Sequence, residues 1–131
     1  MIAKLLVSFG VLVFSVVIPI LEINDSHVFN PMWPAHARLH EVWQLTTHCA
    51  LGAFCLWLTW IKAQIRIASV LCIIVMGGVL FAHLIEGSYG GSIQSGNISK
   101  TILGIDLAAF AAIVVIAMSL MAHYLDGKEA R

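Results

Sequence analysis

Six histidines and seven carboxylates are the groups of this chain able to move protons or hold a metal, and those within the apolar runs are helically spaced. His36, His40, Gln44 and His48 recur at every fourth position. Each such step turns about 40° around a helix, so the four lie along one side. Glu41 and Thr47 fall within the same arc of about 140°, whereas Arg38 points elsewhere. His83 and Glu86 are three apart and share a face. Asp106 stands near the start of a later apolar run. Imidazoles beside carboxylates suit general acid–base work. The expected acid–base groups are His40, His36, His48, Glu86 and Asp106, with His40 the best placed. His27, Asn30, Trp33, Arg38, Glu41 and Gln44 are the expected substrate contacts. The same residue types can hold a divalent metal ion, with His36 and His40 sharing it and His83 and Glu86 completing the shell. His40-Glu41-Val42-Trp43-Gln44 departs from H-E-x-x-H in its last residue, and membrane desaturases use more histidines than the six present. Metal-free isomerisation, hydration or cyclisation fits the residues equally well.

The elements that must position these groups are membrane spans. Apolar residues make up 60 % of the 131 and charged residues 11 %, with mean hydropathy +0.96. Soluble domains carry about 45–50 % and about 25 %. A zero formal charge leaves no basic surplus for nucleic acid. An ordinary soluble enzyme and a disordered tail are excluded as well. A bilayer core of about 30 Å needs about 20 apolar residues in a helix. Four runs qualify, at 2–21, 37–61, 67–85 and 101–125, and strands are not expected. The reading is one all-α domain over residues 1–131, a four-helix transmembrane bundle running up-down-up-down. The first run has no small-x-small cleavage site and is read as a retained span rather than a signal peptide.

Loop charge sets the direction. Lys4, Lys62, Arg66, Lys128 and Arg131 fall on one side, and Arg38 and Lys100 on the other. Cations favour the cytoplasmic face, so both termini are expected there, in a cytoplasmic or inner membrane. The loops 22–35 and 86–100 then face outside. On that reading the outer half of span two, the end of span three, the second turn of span four and the first loop deliver their polar groups to one depth. An ionisable group in hydrocarbon costs at least about 2.5–3.5 kcal/mol, so these groups are expected to share an outward-opening polar site. The inner halves look dry, which disfavours a transport path. Cys49, Cys55 and Cys72 form no C-x-x-C and read as small packing residues. Gly77-Gly78 and the series Gly104, Ala108, Ala112 are expected to let helices approach closely, and Ser99 or Thr101 to cap span four.

The most specific stretch is residues 24–40. Pro31 and Pro34 flank Trp33 and give a stiff entry into span two. Asn24, Ser26, His27, Asn30, Pro31, Trp33, Pro34, His36, Ala37, Arg38 and His40 match the signature N-x-[ST]-H-x-x-N-P-x-W-P-x-H-A-[RK]-x-H. The stretch thereby resembles a family of small four-span integral membrane proteins, and more distantly the DoxX-like group. The resemblance implies four spans and a shared site, and it implies no reaction. Two functions follow from the residues. One is acid–base or metal-assisted chemistry on a lipophilic small molecule. The other is a non-catalytic accessory subunit of a larger membrane complex, binding a lipid or quinone. Membrane lipids are expected partners in both, with a homo-oligomer or a membrane-protein complex as possible assemblies.

Overall fold

The computed structural model describes residues 1–94 and 100–129. Ser99 and Arg131 therefore lie outside the described residues. Four long helices account for most of the rest. Helix α1 covers Ile2–Glu22, α2 covers Ala35–Trp60, α3 covers Ile65–Tyr89 and α4 covers Leu107–Glu129. Three of them, α1, α3 and α4, are long and apolar enough to cross a membrane. At 26 residues α2 is the longest, but its first half carries the polar row and lowers its hydropathy. Below, the upper end is where α1 and α3 finish and α2 and α4 begin.

Apolar side chains in long uninterrupted runs drive these helices, and their placement decides which faces meet. The α3–α4 contact is the most extensive, followed by that of lower α1 with α4. Val7, Val11, Phe14, Cys72, Met76, Ala112 and Val115 form the fully buried centre. Leu5, Phe9, Ile74, Phe81, Leu84 and Leu120 are exposed around it, as a lipid-facing surface requires. Two glycines allow the closest approaches. A Cβ on Gly10 would come within 2.8 Å of Val115 and 2.9 Å of Cys72, and one on Gly52 would overlap Ser15. The sequence reading assigned that task to other glycines, and the structure corrects it. Nothing lies within 4 Å of a Cβ built on Gly77, Gly78 or Gly104.

Helix α1 is not uniform. Val13–Val17 forms a π turn just below Pro19. Proline has no N–H to give the Ser15 carbonyl four residues earlier, and its ring crowds that oxygen. The extra residue in the turn relieves the clash, and the Cys49 thiol of α2 donates to the Ser15 carbonyl at 3.4 Å. Both the π turn and the part of α1 below it pack against α2.

The fourth helix begins later than the apolar run suggests. Thr101–Ile102 and Ile105–Asp106 pair as a two-stranded antiparallel hairpin, with Ile102 opposite Ile105. Leu103 and Gly104, at φ +54° and +79°, make its two-residue turn, and two positive φ values match the twist of such a tight hairpin. Asp106 therefore sits at the end of a strand and not in the second turn of a helix, and Thr101 is a strand residue rather than a cap.

Candidate functional site

The upper end holds three separate polar groupings. The first is a cleft between α2 and α3. It encloses about 470 Å³ and is lined by Gln44 and His48 from α2, by Val75, Gly78, Val79, Ala82, His83 and Glu86 from α3, and by Tyr89, Ser92 and Ile93 beyond. Gly78 contributes no side chain to fill the space, and nothing lies within 4 Å of a Cβ built there. Its volume is in the range of small-molecule sites, about 300–1,000 Å³.

One wall of the cleft is apolar, and the polar groups converge at its upper rim. His83 Nδ1 lies 2.9 Å from Glu86 Oε2. The same Glu86 oxygen accepts the Ile93 backbone N–H at 2.9 Å. An oxygen already accepting one donor is best read as accepting the second, so Nδ1 carries the proton toward Glu86. That leaves Nε2 as the His83 nitrogen not engaged with Glu86. Tyr89 folds back over this rim, and its hydroxyl donates to the Ala82 carbonyl at 3.0 Å. Deeper down, His48 packs edge-on against the buried Phe14 ring, at 5.9 Å between centroids. The His48 Nδ1 is shut off from solvent and has no hydrogen-bond partner among the described residues.

The second grouping is the first loop, where hydrogen bonds fix one path. Asn24 Nδ2 donates to the Leu21 carbonyl, which turns its Oδ1 toward Ser26. That oxygen accepts the Ser26 N–H at 2.7 Å and lies 2.6 Å from the Ser26 hydroxyl. The hydroxyl also meets His27 Nδ1 at 2.7 Å, while His27 Nε2 pairs with Glu22 at 2.8 Å. The direction of the Ser26–His27 hydrogen bond follows the tautomer of His27. Ser26, His27 and Glu22 thus clamp the loop to α1. Trp33 lies edge-on to His27, with centroids 5.4 Å apart, and Asn30 closes the loop through its amide on the Ser26 carbonyl. Glu41, half-buried on α2, is within charge–charge range of Glu22 and His27. Arg38 makes no side-chain hydrogen bond or ion pair among the described residues.

The third grouping is His36 with His40, exposed on the first turns of α2. Their Nε2 atoms are 3.0 Å apart, and Trp43 stacks on the His40 ring. A shallow groove of about 270 Å³ runs from His40 and Trp43 past Thr47 to Gln44 and His48, so these last two residues border both depressions.

Of the residues singled out by sequence, Gln44, His48, His83 and Glu86 thus share one cleft. His27, Asn30, Trp33 and Glu41 belong to the loop clamp or its edge. His36 and His40 stand apart on the surface of α2. Asp106 does not line the cleft; its Oδ1 accepts the Gln94 amide at 3.1 Å. Among the described residues no group of three or more His, Cys, Asp or Glu gathers as a metal shell. Val75, Val79, Ala82, Tyr89, Ser92 and Ile93 escaped sequence reasoning. The signal that existed was the helical series 75, 79, 82 and 86 on α3, which places the wall beneath the carboxylate. No protein-family model, curated protein or solved structure matches the chain.

Proposed function

We propose that this chain is a four-span integral membrane protein, up-down-up-down, whose upper cleft takes up a lipophilic small molecule from the bilayer and exchanges a proton with it through His83. The observation that carries the reading is the His83–Glu86 hydrogen bond at 2.9 Å on the rim of a cleft with an apolar wall. Glu86 holds the imidazole in one tautomer and orientation, and its charge stabilises the imidazolium that proton uptake creates. Nε2 takes a proton from an O–H, or from a C–H beside a carbonyl, and returns it at another position or to the product. Gln44 and His48 supply polar contacts to the head of the molecule, while Val75, Val79 and Ala82 receive its apolar part. Substrate atoms gain and lose only protons in this scheme, so no oxidant is required.

Two features support α2 as a fourth span. Its 26 residues extend about 39 Å, more than a bilayer core. Cations also snorkel over aromatic rings at the lower end. Lys4 lies over Trp60, Lys62 over Trp57 and Lys128 over Tyr124, at 5.4, 4.9 and 4.8 Å. These three cations belong to the five whose excess supports a cytoplasmic lower end and an outward-facing cleft. The resemblance of residues 24–40 to a family of four-span proteins accords with this span count.

The test is to purify the protein in mild detergent, extract it with organic solvent, and identify by mass spectrometry what is enriched at about one molecule per chain. The His83→Gln variant should keep the molecule but lose exchange of its labile proton with deuterated water. Absence of any enriched lipophilic species in the wild-type protein would overturn the reading. Retention of both ligand and exchange in His83→Gln would reduce the site to binding alone.

A further inference from the structure

The His36–His40 pair lies outside the cleft, and neither the clamp nor the proposed proton exchange uses it. The two residues are four apart on α2, and their rings meet at 88° with centroids 4.5 Å apart. The two Nε2 atoms lie 3.0 Å from one another. As neutral rings, one donates to the other. On an exposed helix surface such a hydrogen bond adds little stability, because water competes for both atoms. The geometry does, however, bring two imidazole nitrogens to the separation of ligands on one metal ion.

That separation is compatible with two ligands on one ion. With metal–nitrogen bonds of about 2.0–2.1 Å, two imidazoles lie about 3.3–3.4 Å apart in a tetrahedral shell, and about 2.9 Å apart at the right angle of a tetragonal one. The observed 3.0 Å is close to the tetragonal value. Imidazole nitrogen suits borderline divalent ions, and among first-row divalent ions Cu²⁺ stands at the top of the affinity order. The surroundings fit as well. Arg38, two residues on from His36, is rotated about 200° away and places no cation beside the pair. Trp43 backs the His40 ring, with planes inclined by 22°. Both histidines are exposed, so water can fill the remaining coordination positions.

We propose that His36 and His40 form a two-nitrogen chelate for one tetragonal divalent ion, Cu²⁺ foremost, at the upper surface of α2. Binding needs both rings as their Nδ1–H tautomers, so the proton between the two Nε2 atoms passes to Nδ1 of the donating ring by way of water, and one ion enters with no net proton released. The site does not rest on the cleft, and the two readings fail separately.

The experiment is a Cu²⁺ titration of the full chain in detergent, followed by electron paramagnetic resonance and by tryptophan fluorescence. One ion per chain should bind, with hyperfine splitting from two nitrogens and quenching of the Trp43 emission. His36→Ala and His40→Ala should each weaken binding by about tenfold or more and remove the two-nitrogen pattern. Both residues are surface-exposed, so circular dichroism should show an unchanged fold. His123→Ala, at the other end of the molecule, should bind as the wild type does. Trp43→Phe should keep the resonance signal and lose most of the quenching. Equal Cu²⁺ binding in the wild type and both alanine variants would mean adventitious binding elsewhere and overturn the proposal. A wild-type signal with fewer than two nitrogens would overturn it too.

Discussion

Filling the cleft without disturbing the helices is the sharpest way to separate its role from that of the fold, and Gly78 permits it. A Cβ at this position meets nothing within 4 Å, yet the residue lines the cleft. Replacing glycine by a helix-forming residue gains about 0.5–1 kcal/mol, because less backbone freedom is lost on folding. Leucine adds four carbon groups, each close to the ~30 Å³ of a water molecule, or about 120 Å³ in all. That is roughly a quarter of a cleft of about 470 Å³. Gly78→Leu should therefore leave thermal stability equal or slightly higher while the co-purifying molecule falls by about tenfold or more, which corresponds to about 1.4 kcal/mol of binding. The comparison is Gly52→Ala, which adds one methyl against Ser15 of the α1 π turn. Its Cβ would overlap atoms tied to backbone, so the helices must part, and overpacking of this kind costs about 1–3 kcal/mol. The assay is unfolding by circular dichroism in detergent, with ligand content by mass spectrometry on the same samples. Full ligand content in Gly78→Leu would refute the placement of the site, and a lower melting temperature there than in Gly52→Ala would refute the packing argument.

Glu86→Gln should release the tautomer of His83 without unfolding the protein, and ¹⁵N resonances of His83 should change from protonated Nδ1 to a mixture. His27→Ala should cost about 1.5–3 kcal/mol, the range for a hydrogen bond to a charged partner, because Glu22 and Ser26 both lose their contact; denaturant titration reads this, and His27→Gln should recover part of it. Cys49→Ala should cost no more than about 1 kcal/mol in the same titration, since the thiol donates weakly and at 3.4 Å. With the native cysteines replaced, Ser92→Cys should react with an impermeant reagent in intact cells and Lys128→Cys should not. The reverse pattern would invert the membrane orientation.

The helices were legible because apolar runs of some twenty residues have few other outcomes. Span one ends within a residue of its expected boundary. The start of α4 was not legible, because Thr101, Ile102 and Ile105 suit a strand as well as an apolar helix. The turn that decides between them needs positive φ at Leu103, a residue that does not advertise it. Glycine roles were unreadable for a related reason: spacing shows which residues share a face, but not whether a neighbour stands opposite. The same limit governs the site. A 40° step correctly aligned His36, His40, Gln44 and His48 on α2, yet only Gln44 and His48 reach a level where α3 lies opposite. Asp106 was tied to the site by membrane depth alone, and the hairpin directs it to Gln94 instead.

The π turn of α1 has a mechanical consequence. Below it, α1 packs on α4 and also on α2, and α4 packs on α3; at the turn itself α1 supports α2 again, where Gly52 meets Ser15. Upper α2 borders the cleft, and the close approach of Gly52 to Ser15 is the natural pivot for any tilt of that arm. A tilt of that arm would widen the cleft to admit a molecule from the side while keeping the α3–α4 and α1–α4 contacts. Backbone hydrogen exchange should accordingly be fastest along upper α2 and slowest along the α3–α4 seam. Tightening the pivot would slow entry and exit of the ligand without changing a single atom that touches it.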